Sequence, residues 1–586
     1  MNPLEQLVQA AVASIRTVLE SGKSCALAFS SGKDSSVVAG LLLLAARACR
    51  QAGVALKPIL VTHGDTGVEN PEVHQNALAE MRRIEQYCAR YDIPVQILVA
   101  KPYLSESWQC RVIGGRALPS MPGTNHDCSS DMKVRPMTRL RSSIVGRADV
   151  VTAIGTRFEE SPQRAARMRE RGETPDKPWQ GDDGGWYISP IALWGMEDVW
   201  EFLGLCRAGD PAYLTYSRHD DIFRIYADAA GESCAVVADM ASQGKKSKPC
   251  GARTGCWACT PVGRDKSLET MIEGDPRYAY LRGLNQLQRF LLATRWDLSR
   301  RNWLGRSVTP DGHIAIGPDV YSPAMLESLL RYCLTLDVLE RSDAARLGIK
   351  PRFEIIDFRS LIAIDAMWNL QGLARPFAAL RIYRNVVEHR NLAQIPQLEA
   401  FPKPKMPKAR WLYVGKDWPE NTSLVGLRDV MQEFAVGGND SYCMGTRQLK
   451  DGRTIMDVQT AAAFDIDEDG LNDFLAFEFD RVLEESDGGW RDGPTDGYLY
   501  YSRMGFLQLA PQALGTMDEI LRRTWWKHRV GLFGQLDPSV LIDRSVEKRP
   551  ASPAGDGEEL EEPETADVEL SIPDAPFGQA ELPFAA

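Results

Sequence analysis

Four short apolar runs in the first part of the chain recur at intervals that leave room for a helix between each pair: Cys25 to Ser30 (CALAFS), Lys57 to His63 (KPILVTH), Pro94 to Ala100 (PVQILVA) and Asp149 to Gly155 (DVVTAIG). A Leu/Ala-rich helix, Ser36 to Arg50, follows the first run. A second helix, Pro71 to Tyr91, follows the second run, with Asn70 as its cap and Pro71 at its first position. A crossover helix returns the chain to the end of the sheet where it started, so successive strands run parallel. The predicted fold class is α/β, a parallel sheet with helices on both faces. Ligands of such sheets bind beyond the carboxyl ends of the strands.

At the end of the first run stands Ser30-Ser31-Gly32-Lys33-Asp34-Ser35, between a strand and a helix. Backbone N–H groups at a glycine turn and at a helix N-terminus form a positive concavity, and Lys33 adds a point charge, so the segment is suited to phosphate. Its spacing is shorter than that of a Walker loop. The second run ends in His63-Gly-Asp-Thr-Gly-Val-Glu-Asn-Pro71, which places Asp65 and Glu69 at a strand end, where they suit nucleotide or Mg2+, an oxygen-seeking cation. The fourth ends in Gly155-Thr-Arg157-Phe-Glu-Glu160-Ser161.

These three segments resemble, respectively, the S-G-G-K-D-S loop, the D-T-x-x-E-N-P segment and the G-x-R-x-x-E-S segment of the PP-loop family, the ATP pyrophosphatases and PAPS reductases. The resemblance implies an adenine nucleotide alpha hydrolase-like fold that binds ATP with Mg2+ through Ser30, Ser31, Gly32, Lys33, Asp34, Ser35, Asp65, Gly155 and Arg157. Lys33, Asp34 and Arg157 would be the catalytic residues, with Arg157 facing the phosphates. Ser31 stands where the family usually has its first glycine; if that position needs positive φ, serine costs about 1 kcal/mol there.

Twelve cysteines in a chain without an export signal imply reduced thiols, and clusters among them imply metal rather than disulfides. Cys250, Cys256 and Cys259 lie within ten residues, flanked by Lys245, Lys246, Lys248 and Arg253. Thiolates so close repel unless a cation holds them. Cys128, in Thr124 to Pro136 (TNHDCSSDMKVRP), is the best fourth ligand because it follows the third strand; Cys234 is the fallback. Four thiolates suit structural zinc or an iron–sulfur cluster, and spacing does not separate the two. The C-x-x-D-x-K-x-x-P and C-x5-C-W-x-C-T patterns, with Ser189-Pro-Ile191 and Asp198-Val-Trp200, resemble the DndC-type sulfurtransferases of bacterial DNA phosphorothioation over residues 20 to 270. That resemblance implies a 4Fe-4S cluster on Cys128, Cys250, Cys256 and Cys259. It also implies DNA as partner, a cysteine desulfurase as sulfur donor and other phosphorothioation-system proteins. Cys25, Cys49, Cys88, Cys110, Cys206, Cys333 and Cys443 read as small buried hydrophobes.

The net charge of −11 does not exclude nucleic acid, because the acids are unevenly placed. From Ala551 onward there are ten Asp or Glu and no Lys or Arg, which leaves 69 acids against 68 bases in the rest. The longest apolar run, Val37 to Ala46, is about half of a membrane span, and the first twenty residues lack a secretory pattern, so no membrane and a cytoplasmic location are expected. The expected domains are 1–265, the PP-loop nucleotide and Fe-S domain; 266–400, mostly helical; 401–548, mixed; and 549–586, a disordered acidic tail rich in Pro and Glu. Basic surface for DNA is sought in Lys133, Arg135, Arg139, Arg141 and Arg147, in Arg289 to Arg306 and in Thr524 to Arg529, segments that equally suit helices with buried tryptophan and solvated arginine.

The expected function is ATP-dependent sulfur transfer to a DNA backbone phosphate. The alternatives are a PAPS or APS reductase, which usually carries a cysteine near its C-terminus where this chain's last is Cys443, a tRNA thiolase, and a non-catalytic nucleotide-sensing DNA-binding subunit.

Overall fold

A computed structural model describes residues 3–123, 127–144, 149–181, 183–230, 255–309, 311–416, 444–448, 454–458, 465–487, 493–508 and 514–547. The acidic tail expected at 549–586 lies outside these residues. The chain divides into two units. Met1–Pro102 and His126–Asn285 form the first, while Tyr103–Asn125 joins the chain from Gln286 onward in the second. The sequence reading kept 1–265 in one piece, whereas the structure moves the short segment after the third strand into the other unit.

The first unit contains a six-stranded sheet. Its elements are α1 (Pro3–Glu20), β1 (Ser24–Ala28), α2 (Lys33–Gln51), β2 (Ile59–Gly64), α3 (Pro71–Arg90), β3 (Val95–Ala100), α4 (Arg135–Ser143), β4 (Val150–Ala153), α5 (Pro162–Glu170), β5 (Trp179–Gln180), β6 (Trp186–Ile188), α6 (Met196–Ala208) and α7 (Asp220–Ala230). The strand order is β3-β2-β1-β4-β6-β5. The first five are parallel and β5 is an antiparallel edge. The four predicted strands are present with slightly different ends, and β6 and β5 add to them. Both were illegible because a strand of two or three residues shows no periodicity.

Alternation sorts the strand residues. Leu27, Val61 and Val151 pack with Leu41 and Val38 of α2 and Phe202 of α6 in the main core, while Ala26, Leu60 and Val150 pack on the other face with Ile144. The chain winds from β1 outward to β2 and β3, then returns to β4 on the other side of β1. The switch point between β1 and β4 is where open parallel sheets place their ligands.

In the second unit, α8 (Pro323–Leu347) and α9 (Phe358–Gln371) form the helical centre, and eleven of the residues of α9 from Ser360 to Leu370 are buried. The segment Tyr103–Asn125 is tied to this centre. Trp368 Nε1 donates to the Ile113 carbonyl at 2.7 Å and Gln109 donates to the Ile355 carbonyl at 2.9 Å. A three-stranded antiparallel sheet joins Leu304–Val308, His313–Ile316 and Arg410–Tyr413, with His313 opposite Tyr413. The boundary expected at 400 therefore runs through one sheet: its third strand lies beyond it.

Candidate functional site

The phosphate loop begins where β1 ends. Phe29 N donates to the Thr62 carbonyl at 2.9 Å, which holds the chain against β2 before it turns. Ser30 and Ser35 then staple the turn: their hydroxyls are 3.1 Å apart, and Ser35 Oγ donates to the Gly32 carbonyl at 3.0 Å. Ser31 has φ of 56°, so the condition under which serine is strained at this position is met. Its carbonyl accepts from Asn76 Nδ2 at 3.3 Å, a bond to α3 that offsets part of the strain. Gly32 is the N-cap of α2 and provides no side chain to occupy the first N–H groups of the nineteen-residue helix. The helix N-terminus therefore presents donors and partial positive charge toward the loop.

Lys33 Nζ lies 2.7 Å from Asp34 Oδ2, and Arg157 Nε lies 2.7 Å from Asp34 Oδ1. Arg157 is 1 % exposed, with Nη1 3.4 Å from the Trp194 carbonyl and 3.6 Å from Glu159. It thus reaches the loop through Asp34, whose two oxygens are each engaged by a cation. Gly155 is where β4 meets the start of α2: a Cβ there would lie 3.1 Å from the Asp34 carbonyl carbon and 3.2 Å from Ser35 N, so even a methyl group would push the loop. Tyr226 of α7 completes this edge, its ring centroid 5.8 Å from Lys33 Nζ.

One strand along, Asp65 and Glu69 follow β2. His74 Nδ1 is 3.6 Å from Glu69 Oε2 and 4.0 Å from Asp65 Oδ1, and Lys101 Nζ is 3.2 Å from Asp65 Oδ2. One ligand atom from each of Asp65, Glu69 and His74 lies within 4.8 Å of the others, a set that could hold a divalent cation. Burial works to raise the Asp65 carboxyl, but Lys101 and His74 outweigh it and hold it below its ordinary value. The Glu69 carboxylate, with Asp65 adding, pushes the His74 imidazole up against the effect of burial. A cation bound here displaces that proton, so its affinity falls as pH drops through the raised value.

The cysteines approach this same segment. Cys256 forms an antiparallel bridge with Glu69, and Trp257 N donates to the Val68 carbonyl at 3.0 Å. Trp257 and Ala258 are buried and anchor the short hairpin, and Cys259 N donates to the Cys256 carbonyl at 3.0 Å. Cys128 sits in the helical turn Asp127–Ser129 ahead of a π-turn, Ser130–Val134. Burial pushes the Cys256 thiol up to about 12, with Cys259, Glu69 and Cys128 adding and Lys133 opposing. Burial and then Cys128 likewise raise Cys259, opposed by the Val262 backbone N–H. Cys256 and Cys259 therefore lie within electrostatic reach of Cys128, and a bound cation would favour the thiolates of Cys256 and Cys259 over their thiols. That donor set fits a soft metal or an iron–sulfur cluster. Cys250 and the fallback Cys234 lie outside the described residues.

Of the segments considered for DNA, most cations are engaged within the fold. Arg300 pairs with Asp297 at 2.9 Å and Arg306 with Asp319 at 3.0 Å; Arg301 is buried, as are Trp526 and Lys527. Arg135 pairs with Asp131 at 2.9 Å, and Arg141 is buried. Arg147 is outside the described residues. Arg295 stacks on Trp296 with 4.4 Å to the ring centroid. Tyr226, His74 and Lys101 were not singled out from sequence. His74 carried a weak signal, since it stands on the first turn of the helix that follows the D-T-x-x-E-N-P segment.

The parallel sheet and the loop at its switch point lie within the part of the chain that a family model matches. Residues 24–208 match the phosphoadenosine phosphosulfate reductase domain. No curated protein matches the chain. Among solved structures, the U34-tRNA thiolase NcsA from Methanococcus maripaludis, described with its 4Fe-4S cluster, is similar at 16% identity; the match covers 49% of this chain and 80% of that chain, with a TM-score of 0.23. Among the described residues, no helix is long and apolar enough to cross a membrane.

Proposed function

We propose that the chain is an ATP-dependent sulfurtransferase that installs sulfur on a DNA backbone phosphate. The observation that carries this reading is the β-bridge between Glu69 and Cys256, which sets the cysteine hairpin on the sheet edge that also holds the phosphate loop. A nonbridging phosphate oxygen is a poor leaving group. ATP converts it to a good one: the oxygen attacks the α-phosphorus, pyrophosphate leaves, and sulfide then attacks the DNA phosphorus, forming P–S as the P–O bond to AMP breaks.

In this reading the uncapped N-terminus of α2 and Lys33 hold the phosphates and stabilise the charge that develops on pyrophosphate. Asp34 orients Lys33, and Arg157 is a positioning residue that acts through Asp34. Asp65 and Glu69 take the Mg2+ that accompanies ATP. Cys128, Cys250, Cys256 and Cys259 hold a 4Fe-4S cluster, which supplies, when bound, a place for the incoming sulfur. The sulfur comes from a cysteine desulfurase as a persulfide and is released as sulfide by a thiol reductant that is oxidised to its disulfide. Further proteins of the modification system bring the DNA, and the reading assigns the reaction to the cytoplasm, where thiols stay reduced.

The test is anaerobic purification with iron and sulfide analysis, followed by ATP-dependent pyrophosphate release in the presence of duplex DNA and by detection of sulfur in the product. Lys33→Ala is expected to lower pyrophosphate release at least 100-fold while leaving iron content unchanged. Cys256→Ser is expected to lose most of the iron while nucleotide affinity stays within about twofold. Retained turnover in Lys33→Ala sinks the phosphate-loop assignment. Sulfur found in tRNA and not in DNA sinks the acceptor.

A further inference from the structure

In the second unit, a strap of extended backbone runs from Phe401 to Ala409 (FPKPKMPKA), with no helix or strand along it. It is pinned at both ends: Phe401 N donates to the Ala293 carbonyl at 3.1 Å, and the strand Arg410–Tyr413 pairs with His313–Ile316. Pro402, Pro404 and Pro407 fix their own φ and hold the residues before them extended, so the lysines among them stand on a backbone with few alternatives. Lys403, Lys405 and Lys408 are exposed, and none of the three forms an ion pair among the described residues. Lys403 Nζ lies 5.4 Å from the centroid of the Trp296 ring, against which Arg295 also stacks at 4.4 Å. From Ala400 to Lys416 the sequence contains no Asp or Glu.

Exposed cations held this close repel one another and attract a polyanion. The chain carries one of its own. Trp411 N donates to the Val546 carbonyl at 2.8 Å and Val546 N donates to the Trp411 carbonyl at 2.9 Å, while Arg410 Nη1 lies 3.3 Å from Glu547. The chain beyond Glu547 therefore starts next to the C-terminal end of the strap. Residues 551–586, outside the described residues, carry ten acids and no bases, and seven of those acids fall between Glu558 and Glu569. Glu558 stands twelve residues beyond Val546, which allows a reach of up to about 40 Å. From Lys403 to Trp411 the strap spans about 25 Å, at about 3.1 Å per residue. All three lysines are within reach, and so short a tether gives the acids a high local concentration beside them.

We infer that the strap is a docking surface for the chain's own acidic segment 551–586, whose carboxylates lie along Lys403, Lys405 and Lys408. A nucleic acid, or any other polyanion, then reaches these lysines only by displacing that segment. The inference rests on charge and connectivity within the second unit and does not depend on the sulfur-transfer reading.

Zero-length carbodiimide crosslinking of the full chain, read by peptide mass spectrometry, tests it. At about 0.01 M ionic strength, amide bonds are expected within the monomer between the strap lysines and acids from Asp556 to Glu569. They should be about fivefold more abundant than bonds from the same acids to Lys266 and Lys350, which are also exposed, and should fall about fivefold at about 1 M, where the screening length is about 3 Å. Crosslinks no more abundant on the strap than on Lys266 and Lys350, unchanged by salt, or confined to dimers overturn the inference. Digestion of the full chain by a Glu-specific protease gives a second readout. The variant Lys403→Glu/Lys405→Glu/Lys408→Glu changes only exposed, unpaired side chains, and it is expected to speed cleavage between Glu558 and Glu569 about fivefold at low salt. Equal rates overturn the inference. So does protection of the strap lysines from acetylation by duplex DNA in a chain whose acidic segment leaves them unprotected, which assigns the strap to nucleic acid instead.

Discussion

Replacing Asp34 by Ala is expected to lower the unfolding free energy by about 3–5 kcal/mol, more than replacing Arg157 by Met. Asp34 is the carboxylate bound 2.7 Å from Arg157 Nε, and without it a side chain 1 % exposed keeps its charge with only Glu159 nearby, at 3.6 Å and 62 % exposed. Arg157→Met instead leaves Asp34 partly exposed and still paired with Lys33 at 2.7 Å, so its cost is smaller, about 1–2 kcal/mol. The double variant Asp34→Ala/Arg157→Met is therefore expected to be more stable than Asp34→Ala alone, since it removes the stranded cation. Urea titrations of the four proteins check this, and strictly additive losses would reject it. The same series separates stability from the loop's role, because all three variants should bind ATP at least tenfold more weakly than the parent while only Asp34→Ala is severely destabilised.

In the second unit, Asp365→Ala is expected to cost about 3–5 kcal/mol. Asp365 is 0 % exposed, and its oxygens accept from Phe377 N at 3.1 Å, Ala379 N at 2.8 Å and the Tyr501 hydroxyl at 3.0 Å. These bonds pin a chain reversal at which Phe377 has φ of 61°, a conformation phenylalanine does not hold unaided. The same carboxyl carries a pH dependence. Burial pushes it from 3.8 up to about 6, although the N–H groups of Ala379 and Phe377 and the Tyr501 hydroxyl oppose the rise. The folded chain thus holds a proton that the unfolded chain releases. That contribution to stability is fully present below about pH 4 and is lost as pH rises through about 6. Its size is roughly 2–3 kcal/mol. Melting curves between pH 4 and 7 are expected to show this slope, and Asp365→Asn to flatten it; an unchanged slope in Asp365→Asn assigns the dependence to another group.

Much of the first unit was legible because its signals are local. The spacing of the apolar runs implied parallel strands, Asn70 caps α3 as read, accepting from Glu72 N at 2.9 Å, and Ser30 to Ser35 follow β1, although Lys33 to Ser35 already form the first turn of the helix that was read as starting at Ser36. The left-handed φ at Ser31 was legible only as a condition, since a glycine position in related loops can equally reflect a close backbone approach, and the fold decides between the two. The tryptophan and arginine segments were not legible in the same way. The side chains of Trp526 and Arg306 read equally as surface or as core, and only neighbours remote in sequence decide it: for Arg306 the carboxylate of Asp319, and for Trp526 the apolar cluster of Leu304, Ile314 and Leu412.

By itself the sequence determined β1 to β4, the turn after β1 and the helices α2 and α3, since periodicity, caps and glycine turns act over a few residues. Only the tertiary structure decided what each charge and thiol faces. Asp34 and Arg157 are separated by more than a hundred residues and are joined because β1 and β4 are neighbours. Cys256 reaches Glu69 through a single bridge. Arg141 is buried on α4 beside Tyr187 of β6, an outcome set by packing between distant elements that no local pattern encodes.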